Sequence, residues 1–269
     1  MNYMPSTTIF DYLRQHMKTK WLIGDNSENM YLNLLNKFLK DEAAFNHFRQ
    51  NLLYKSIIGE PQIIQAIKFH DDFMKDDDFK HHMFKSLDSV GSPTIISKTG
   101  YSTNTLRYIN SLQILKNNFV SIDDCTILEY GAGYGGLLNA MRLYYGNGFK
   151  YYMKDVCNIN VEFVRKYSNA IGGMSNHIIN DEIDYHFNEP KINLFIAEYS
   201  LTELNEDGLM EDTKKYLMPS EHIFIRCNIL NEALKAKWIA LLEEKFVLTR
   251  LNEPLNLVKA NEVIIGHQK

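Results

Sequence analysis

Apolar positions along the chain change their period near residue 90. Before it they recur at helical spacing. Tyr31, Leu34, Leu35, Phe38 and Leu39 make one face, Phe45, Phe48 and Leu52 a second, Ile63, Ile64, Ile67 and Met74 a third, and Phe79, Met83 and Leu87 a fourth. Asp41, Gly59 with Pro61, and the run Asp76, Asp77 and Asp78 interrupt these faces, which predicts a layer of short helices unable to bury its apolar surface alone. Gly91, Pro93 and Gly100 mark a loop, and the division expected there is a helical appendage over 1–90 and a main domain over 91–269. Packing, a lid over a site and a dimer surface are the roles open to the appendage.

Beyond the loop, Ser102 or Thr103 is placed to cap a helix whose stripe is Tyr108, Leu112 and Leu115. Strand-like and helical stretches then alternate, as they do in a parallel sheet. Strands are expected over Thr126 to Leu128, with Glu129 at the end, then Tyr151 to Val156, His177 to Asn180, Ile192 to Ala197 and Ile223 to Cys227. Helices carry Leu137, Leu138 and Met141; Val161, Val164 and Tyr167, stopped by Gly172 and Gly173; Leu209 to Leu217, up to Pro219; and Leu234, Trp238 and Leu241 after Asn231. Phe246 to Leu251 and Glu262 to Ile265 close the chain as an antiparallel pair, because the loop between them is too short for a parallel crossover.

The first strand stops abruptly in glycines, ILEYGAGYGG from Ile127 to Gly136. Gly131, Gly133, Gly135 and Gly136 make a turn whose backbone can approach a ligand closely, and the helix that follows offers N–H groups and a positive dipole end. Two motifs share these residues. Gly131, Gly133 and Gly136 spell the G-x-G-x-x-G of dinucleotide sites, while Glu129, Gly131, Gly133 and Gly135 spell E-x-G-x-G-x-G, which resembles motif I of class I S-adenosylmethionine-dependent methyltransferases. Glu129 separates them, since a carboxylate suits a cofactor carrying an ammonium and a sulfonium and repels a pyrophosphate.

Ligands of such sheets bind beyond the C-terminal ends of the strands, and that sorts the polar residues. Glu129, Gly131, Ala132, Gly133 and Gly135 are the expected cofactor cradle. Asp155, about 20 residues on, is placed to accept both ribose hydroxyls. Asp181 could accept from an adenine amino group or be a plain loop aspartate. Tyr101, Ser102, Arg107 and Tyr134 are candidates for touching the acceptor. Glu198, Tyr199, Ser200, Thr202 and Glu203 follow the fourth strand, where a transferred methyl would point. Methyl transfer is an in-line displacement, so Glu198 or Glu203 is the candidate base for a hydroxyl and Tyr199 the residue that positions it. Glu203 as the cap of the next helix stays open. So does a divalent ion on Glu198, Glu203 and Asp207, although their spacing matches no metal motif. His177 and His222 begin their strands, on the wrong side. Asp76 to Asp78, with His81 and His82, read as an acidic helix start and not as a metal site.

Composition narrows the partners. With 269 residues, a net charge of −4 and a pI of 6.1, the chain has no electrostatic case for a nucleic acid partner. Cys125, Cys157 and Cys227 form no C-x-x-C and are expected as reduced thiols. No secretion leader and no membrane-length apolar run is visible, so a cytoplasmic protein is expected.

Over roughly residues 90 to 230 the chain resembles the sugar O-methyltransferases of bacterial surface-glycan gene clusters. The resemblance lies in TLRY (Thr105 to Tyr108), ILEYGAGYGG, KYYMKD (Lys150 to Asp155) and AEYSLTEL (Ala197 to Leu204). It implies an α/β, Rossmann-like fold with a mostly parallel seven-stranded sheet in the order 3-2-1-4-5-7-6. It also implies S-adenosyl-L-methionine as donor, S-adenosyl-L-homocysteine as product, and a sugar or nucleotide-linked sugar hydroxyl as acceptor in capsule or lipopolysaccharide synthesis. This chain departs from the family in having Glu198 where a neutral amide is usual, and Val156 and Cys157 where Leu-Pro is usual. The alternatives are an NAD(P)-dependent oxidoreductase on a sugar nucleotide, methylation of a phosphoramidate-type capsule precursor, and an adaptor without turnover. A homodimer is compatible with all of them.

Overall fold

Side chains set where the helices begin. The carboxylate of Asp41 accepts from the Ala44 N–H, and the side-chain oxygens of Asn51, Ser102, Asn205 and Asn231 do the same for their helices. The computed structural model describes residues 25–59, 61, 63–73, 81–119, 121–155, 158–173, 178–179, 191–229, 231–254 and 261–269. Asp76 to Asp78, Val156, Cys157, His177 and Asp181 lie outside them.

The N-terminal layer consists of α1 (Asp25–Lys40), α2 (Glu42–Asn46), a 3-10 turn (Phe48–Gln50), α3 (Leu52–Ile58), α4 (Ile63–Phe73) and a second 3-10 stretch (His81–Asp88). Phe45, Phe48 and Leu52, expected on one helical face, fall on three elements because Asp41 and Asn51 each start a new helix. Phe45 and Phe48 are buried, whereas Leu52 is 83% exposed. Ile63 and Ile64 are likewise exposed, so only Ile67 of the three isoleucines expected on the α4 face packs inward.

The loop after residue 90 contains an unexpected two-stranded hairpin, β1 (Ile95–Ile96) with β2 (Tyr101–Ser102). Next come α5 (Thr103–Asn118), β3 (Thr126–Tyr130), α6 (Gly136–Tyr145), β4 (Lys150–Lys154), α7 (Asn158–Ala170), β5 (Ile178–Ile179) and β6 (Leu194–Glu198). They are followed by α8 (Glu206–Asp212), β7 (His222–Cys227), α9 (Glu232–Glu243), β8 (Phe246–Asn252) and β9 (Glu262–Gln268). A wider helical turn, Thr213–Leu217, prolongs α8 before Pro219 ends it.

The seven strands of the main sheet lie in the order β5-β4-β3-β6-β7-β9-β8. Counted within this sheet the order is 3-2-1-4-5-7-6, as expected. β3 pairs in parallel with β4 and β6, β6 in parallel with β7, and the closing strands are antiparallel. β3 runs further than the sequence suggests. Glu129 is not the strand's stop but pairs with Met153 and Ile196 inside the sheet.

Both faces of the sheet are covered, which is why its strands read as short unbroken apolar runs. On one face Ile127, Tyr151, Ile196 and Phe224 pack under α5, α6, α7 and the N-terminal layer. On the other, Leu128, Phe195, Ile223 and Ile225 meet Leu209, Tyr216, Trp238 and Leu242. The core of the N-terminal layer is continuous with the first face. Phe48 sits in a ring cluster with Phe38, Phe45, Tyr54, Tyr134, Phe163 and Tyr167, at centroid distances of 5.0–6.1 Å. Among the described residues no helix is long and apolar enough to cross a membrane. None of their His, Cys, Asp and Glu side chains gather in threes suited to a metal.

Candidate active site

The C-terminal ends of β3, β4, β6 and β7 converge on one mouth, and the glycine turn forms its floor. Gly131, Gly133 and Gly135 have φ of +79°, +55° and +79°, the left-handed region that disfavours side chains. Their surroundings differ. A Cβ on Gly131 would collide with Ser200 and one on Gly135 with Val164, while one on Gly133 would meet only Ile58, at 3.9 Å. Gly131 and Gly135 therefore serve packing, and Gly133 leaves room for a ligand. The turn is held by Gly131 N–H to the Lys154 carbonyl (2.6 Å), Gly135 N–H to the Ala132 carbonyl (2.8 Å), and the Ser200 hydroxyl to the Tyr130 carbonyl.

Glu129 lies at the back of the mouth, 3% exposed, and accepts a 2.7 Å hydrogen bond from the Tyr151 hydroxyl. Burial pushes its carboxyl up to about 8; the Tyr151 bond offsets part of this, and the nearby Glu198 and Asp155 add to the rise. Asp155 follows β4 and accepts from the Asn160 side chain at 2.6 Å. In the sequence Asn160 reads as one more polar residue at a helix start.

A second group of charges sits behind Glu198. Glu198 on β6 and Arg226 on β7 are register partners, and Arg226 Nε donates to Glu198 Oε1 at 3.2 Å. The Ser111 hydroxyl donates to the same oxygen, and Arg107 Nε lies 3.4 Å from Oε2. Arg226 also bonds both oxygens of Glu253 at 2.5 Å and donates to Asn110 at 2.7 Å. Burial pulls the Arg226 guanidinium down, but Glu253 and Glu198 more than reverse this and the net shift is up, so the group stays cationic. The visible signal for this cluster was an arginine ending an apolar strand, IFIRC, since such a residue is seldom buried without a partner.

Tyr199 follows Glu198 with φ +72° and ψ −35°, a strained conformation for a side-chain-bearing residue. Its N–H reaches the Arg226 carbonyl at 3.0 Å, and burial raises its phenol, which stays neutral. Glu203 lies in the 3-10 turn Ser200–Glu203, with the Asn228 amide 3.4 Å away. The cap of α8 is Asn205, whose side chain accepts from the Gly208 N–H at 2.9 Å, so Glu203 does not have that role.

The acceptor candidates are all buried. Arg107 lies beside Glu198, and Tyr101, Ser102 and Tyr134 are also interior. Ser102 caps α5 and bonds Arg49 (2.6 Å) and Asp88 (2.7 Å). Tyr134 meets Tyr167 edge to face and lies under the Arg49 guanidinium. Tyr101 packs beside His70. All three are 3% exposed or less, as Glu129 is. The N-terminal layer covers them, and nothing local announces that cover. His222 lies at the opposite end of the sheet, its Nδ1 3.1 Å from that of His267.

No family model matches the sequence, and no curated protein matches it. Among solved structures the chain is similar to an rRNA methylase from Streptococcus thermophilus (15% identity, TM-score 0.44, 59% of this chain and 94% of that one). It is also similar to TrmK of M. capricolum in complex with S-adenosyl-homocysteine (12%, 0.41, 60% and 67%). A third is the mitomycin 7-O-methyltransferase MmcR (12%, 0.45, 64% and 56%). What each of these acts on belongs to that protein. The strand order, with its last strand inserted antiparallel beside β7, is that of the Rossmann-like class I methyltransferases, and this chain has their fold.

Proposed function

We propose that the chain is an S-adenosylmethionine-dependent methyltransferase, and that its acceptor is a hydroxyl of a sugar or nucleotide-linked sugar used in capsule or lipopolysaccharide synthesis. The observation that carries the cofactor is the sign of the charge around the glycine turn. Burial is the main reason the Glu129 carboxyl is raised, and the neighbouring Glu198 and Asp155 add repulsion to it. A cation entering the mouth relieves that repulsion, and a dinucleotide pyrophosphate worsens it. Glu129 would face the ammonium and sulfonium, Gly133 would let the backbone approach, and Asp155 would accept the ribose hydroxyls. Asp181 stays a candidate for the adenine amino group. The bound cofactor supplies an activated methyl group; everything else asked of the protein is orientation and the handling of one proton.

The sugar acceptor rests on the motif resemblance, above all AEYSLTEL around the fourth strand of the main sheet. Of the two candidate bases, Glu203 is preferred because Glu198 is committed to other partners. Glu198 accepts from Ser111 and Arg226 and faces Arg107, so taking a proton would compete with all three donors. Glu198 is assigned to holding the arginines, Tyr199 to orienting the acceptor, and Glu203 to receiving its proton.

Calorimetry with S-adenosylhomocysteine tests the cofactor, and a labelled-donor screen of nucleotide sugars tests the acceptor. Binding of NAD(P) in place of S-adenosylhomocysteine would turn the reading to an oxidoreductase. Turnover lost on chelation would bring back an ion at Glu198, Glu203 and Asp207. Methylation of a phosphoramidate-type precursor in preference to every sugar would keep the enzyme class and change the acceptor. In an active wild type, Glu203→Gln is expected to lower kcat by about 100-fold with donor affinity unchanged.

A further inference from the structure

Asp155 is fixed by a side chain that does three things at once. Asn160, the third residue of α7, is wholly buried. One amide hydrogen goes to Asp155 Oδ2 at 2.6 Å, and the other to the Gly133 carbonyl at 2.8 Å. Its own oxygen accepts from the Tyr31 hydroxyl of α1 at 3.1 Å. The amide cannot be turned over, because its oxygen would then face a carboxylate and a carbonyl, neither of which donates. The end of β4, the glycine turn after β3 and the first helix of the N-terminal layer thus meet at one amide.

We propose that Asn160 is a positioning residue of the cofactor site, setting the Asp155 carboxylate against the glycine turn so that both grip one nucleoside, with Tyr31 locking it in place. This rests on the reading that a nucleoside-bearing cofactor occupies the mouth. A carboxylate receives two neighbouring hydroxyls only when its plane is held, and the bond at Oδ2 holds it. The donation to Gly133 O fixes the residue of the turn that leaves space for a ligand. Asn160 touches no reacting atom. Its removal should therefore appear as a loss of ribose discrimination, which a purely structural role would not produce.

The test is calorimetric titration of the full-length protein, its Asn160→Ala and Tyr31→Phe variants, with S-adenosylhomocysteine and with its 2′-deoxy analogue. Wild type should prefer the ribose form by about tenfold or more, the effect of one charge-assisted hydrogen bond. Asn160→Ala should weaken S-adenosylhomocysteine by roughly 30-fold and cut the preference below about threefold, with Tyr31→Phe in between. Wild type that binds neither compound overturns the cofactor reading itself. Wild type that binds both equally, or an Asn160→Ala protein that keeps affinity and preference within about twofold, overturns the role of Asn160 and leaves the cofactor standing. Should Asn160→Ala not fold, Tyr31→Phe decides: it removes one hydroxyl, and an unchanged preference overturns the proposal.

Discussion

Glu129 is legible in the sequence as a carboxylate beside glycines, but its protonation depends on packing. Its folded-state pKa of about 8 lies above the ordinary 4.5, so the folded chain holds a proton that the unfolded chain has lost. The stability this provides is complete below about 4.5 and is lost as pH rises through about 8, at up to about 1.4 kcal/mol per pH unit and on the order of a few kcal/mol in all. Thermal melts between about pH 5 and pH 8 should therefore show wild type losing stability relative to Glu129→Gln. Parallel curves would refute this. By the same linkage, affinity for the cationic donor should rise with pH up to about 8 and then level off. The glycines divide in a similar way. Gly135→Ala, with φ +79° and Val164 in the path of the new Cβ, should cost about 2–4 kcal/mol of stability. Gly133→Ala should cost about 1–2 kcal/mol through its φ of +55°, its Cβ meeting only Ile58 at 3.9 Å, but should reduce S-adenosylhomocysteine binding by tenfold or more if a ligand uses that space. Comparing denaturation with calorimetry for the two variants would separate the effects.

Elements were predicted where one face or one cap announces itself, and missed where the partner is far along the chain. Asn231 before its helix and the closing antiparallel pair were both visible. The β1/β2 hairpin was not, since two-residue strands carry no period. Of the cluster that joins β6, β7, α5 and Glu253, the sequence shows only the arginine in IFIRC and none of its partners. Removing one member strands a buried charge, so Arg226→Met should destabilise the fold by about 3–5 kcal/mol, while Arg226→Met with Glu253→Leu should recover most of that loss. Urea denaturation of the single and double variants measures the coupling, and equal stabilities would show that the pair is not coupled.

For the whole molecule, the continuous core matters most. Phe48 and Phe38 of the N-terminal layer pack against Phe163 of α7, so the layer and the sheet share one core, and we expect them to unfold together. Phe48→Ala should cost about 3–5 kcal/mol, as a buried ring in a main core does, and a chain beginning at residue 91 should show no cooperative melt. A sharp transition for the shortened chain would instead mark the layer as a separable appendage.

The succession of strands and helices, the glycine turn and the place of Asp155 after its strand could be read along the chain, because period, turn chemistry and a residue's place after a strand are local properties. The order of strands within the sheet followed instead from the motif resemblance. Which of those residues face the mouth could not be read along the chain. Tyr101, Ser102 and Tyr134 are hidden by helices lying far from them in sequence, Glu198 is occupied by arginines on two other elements, and Asn160 acquires its role from Tyr31, 129 residues away. Burial and charge pairing are relations between distant segments, and they come into being only when the chain has closed on itself.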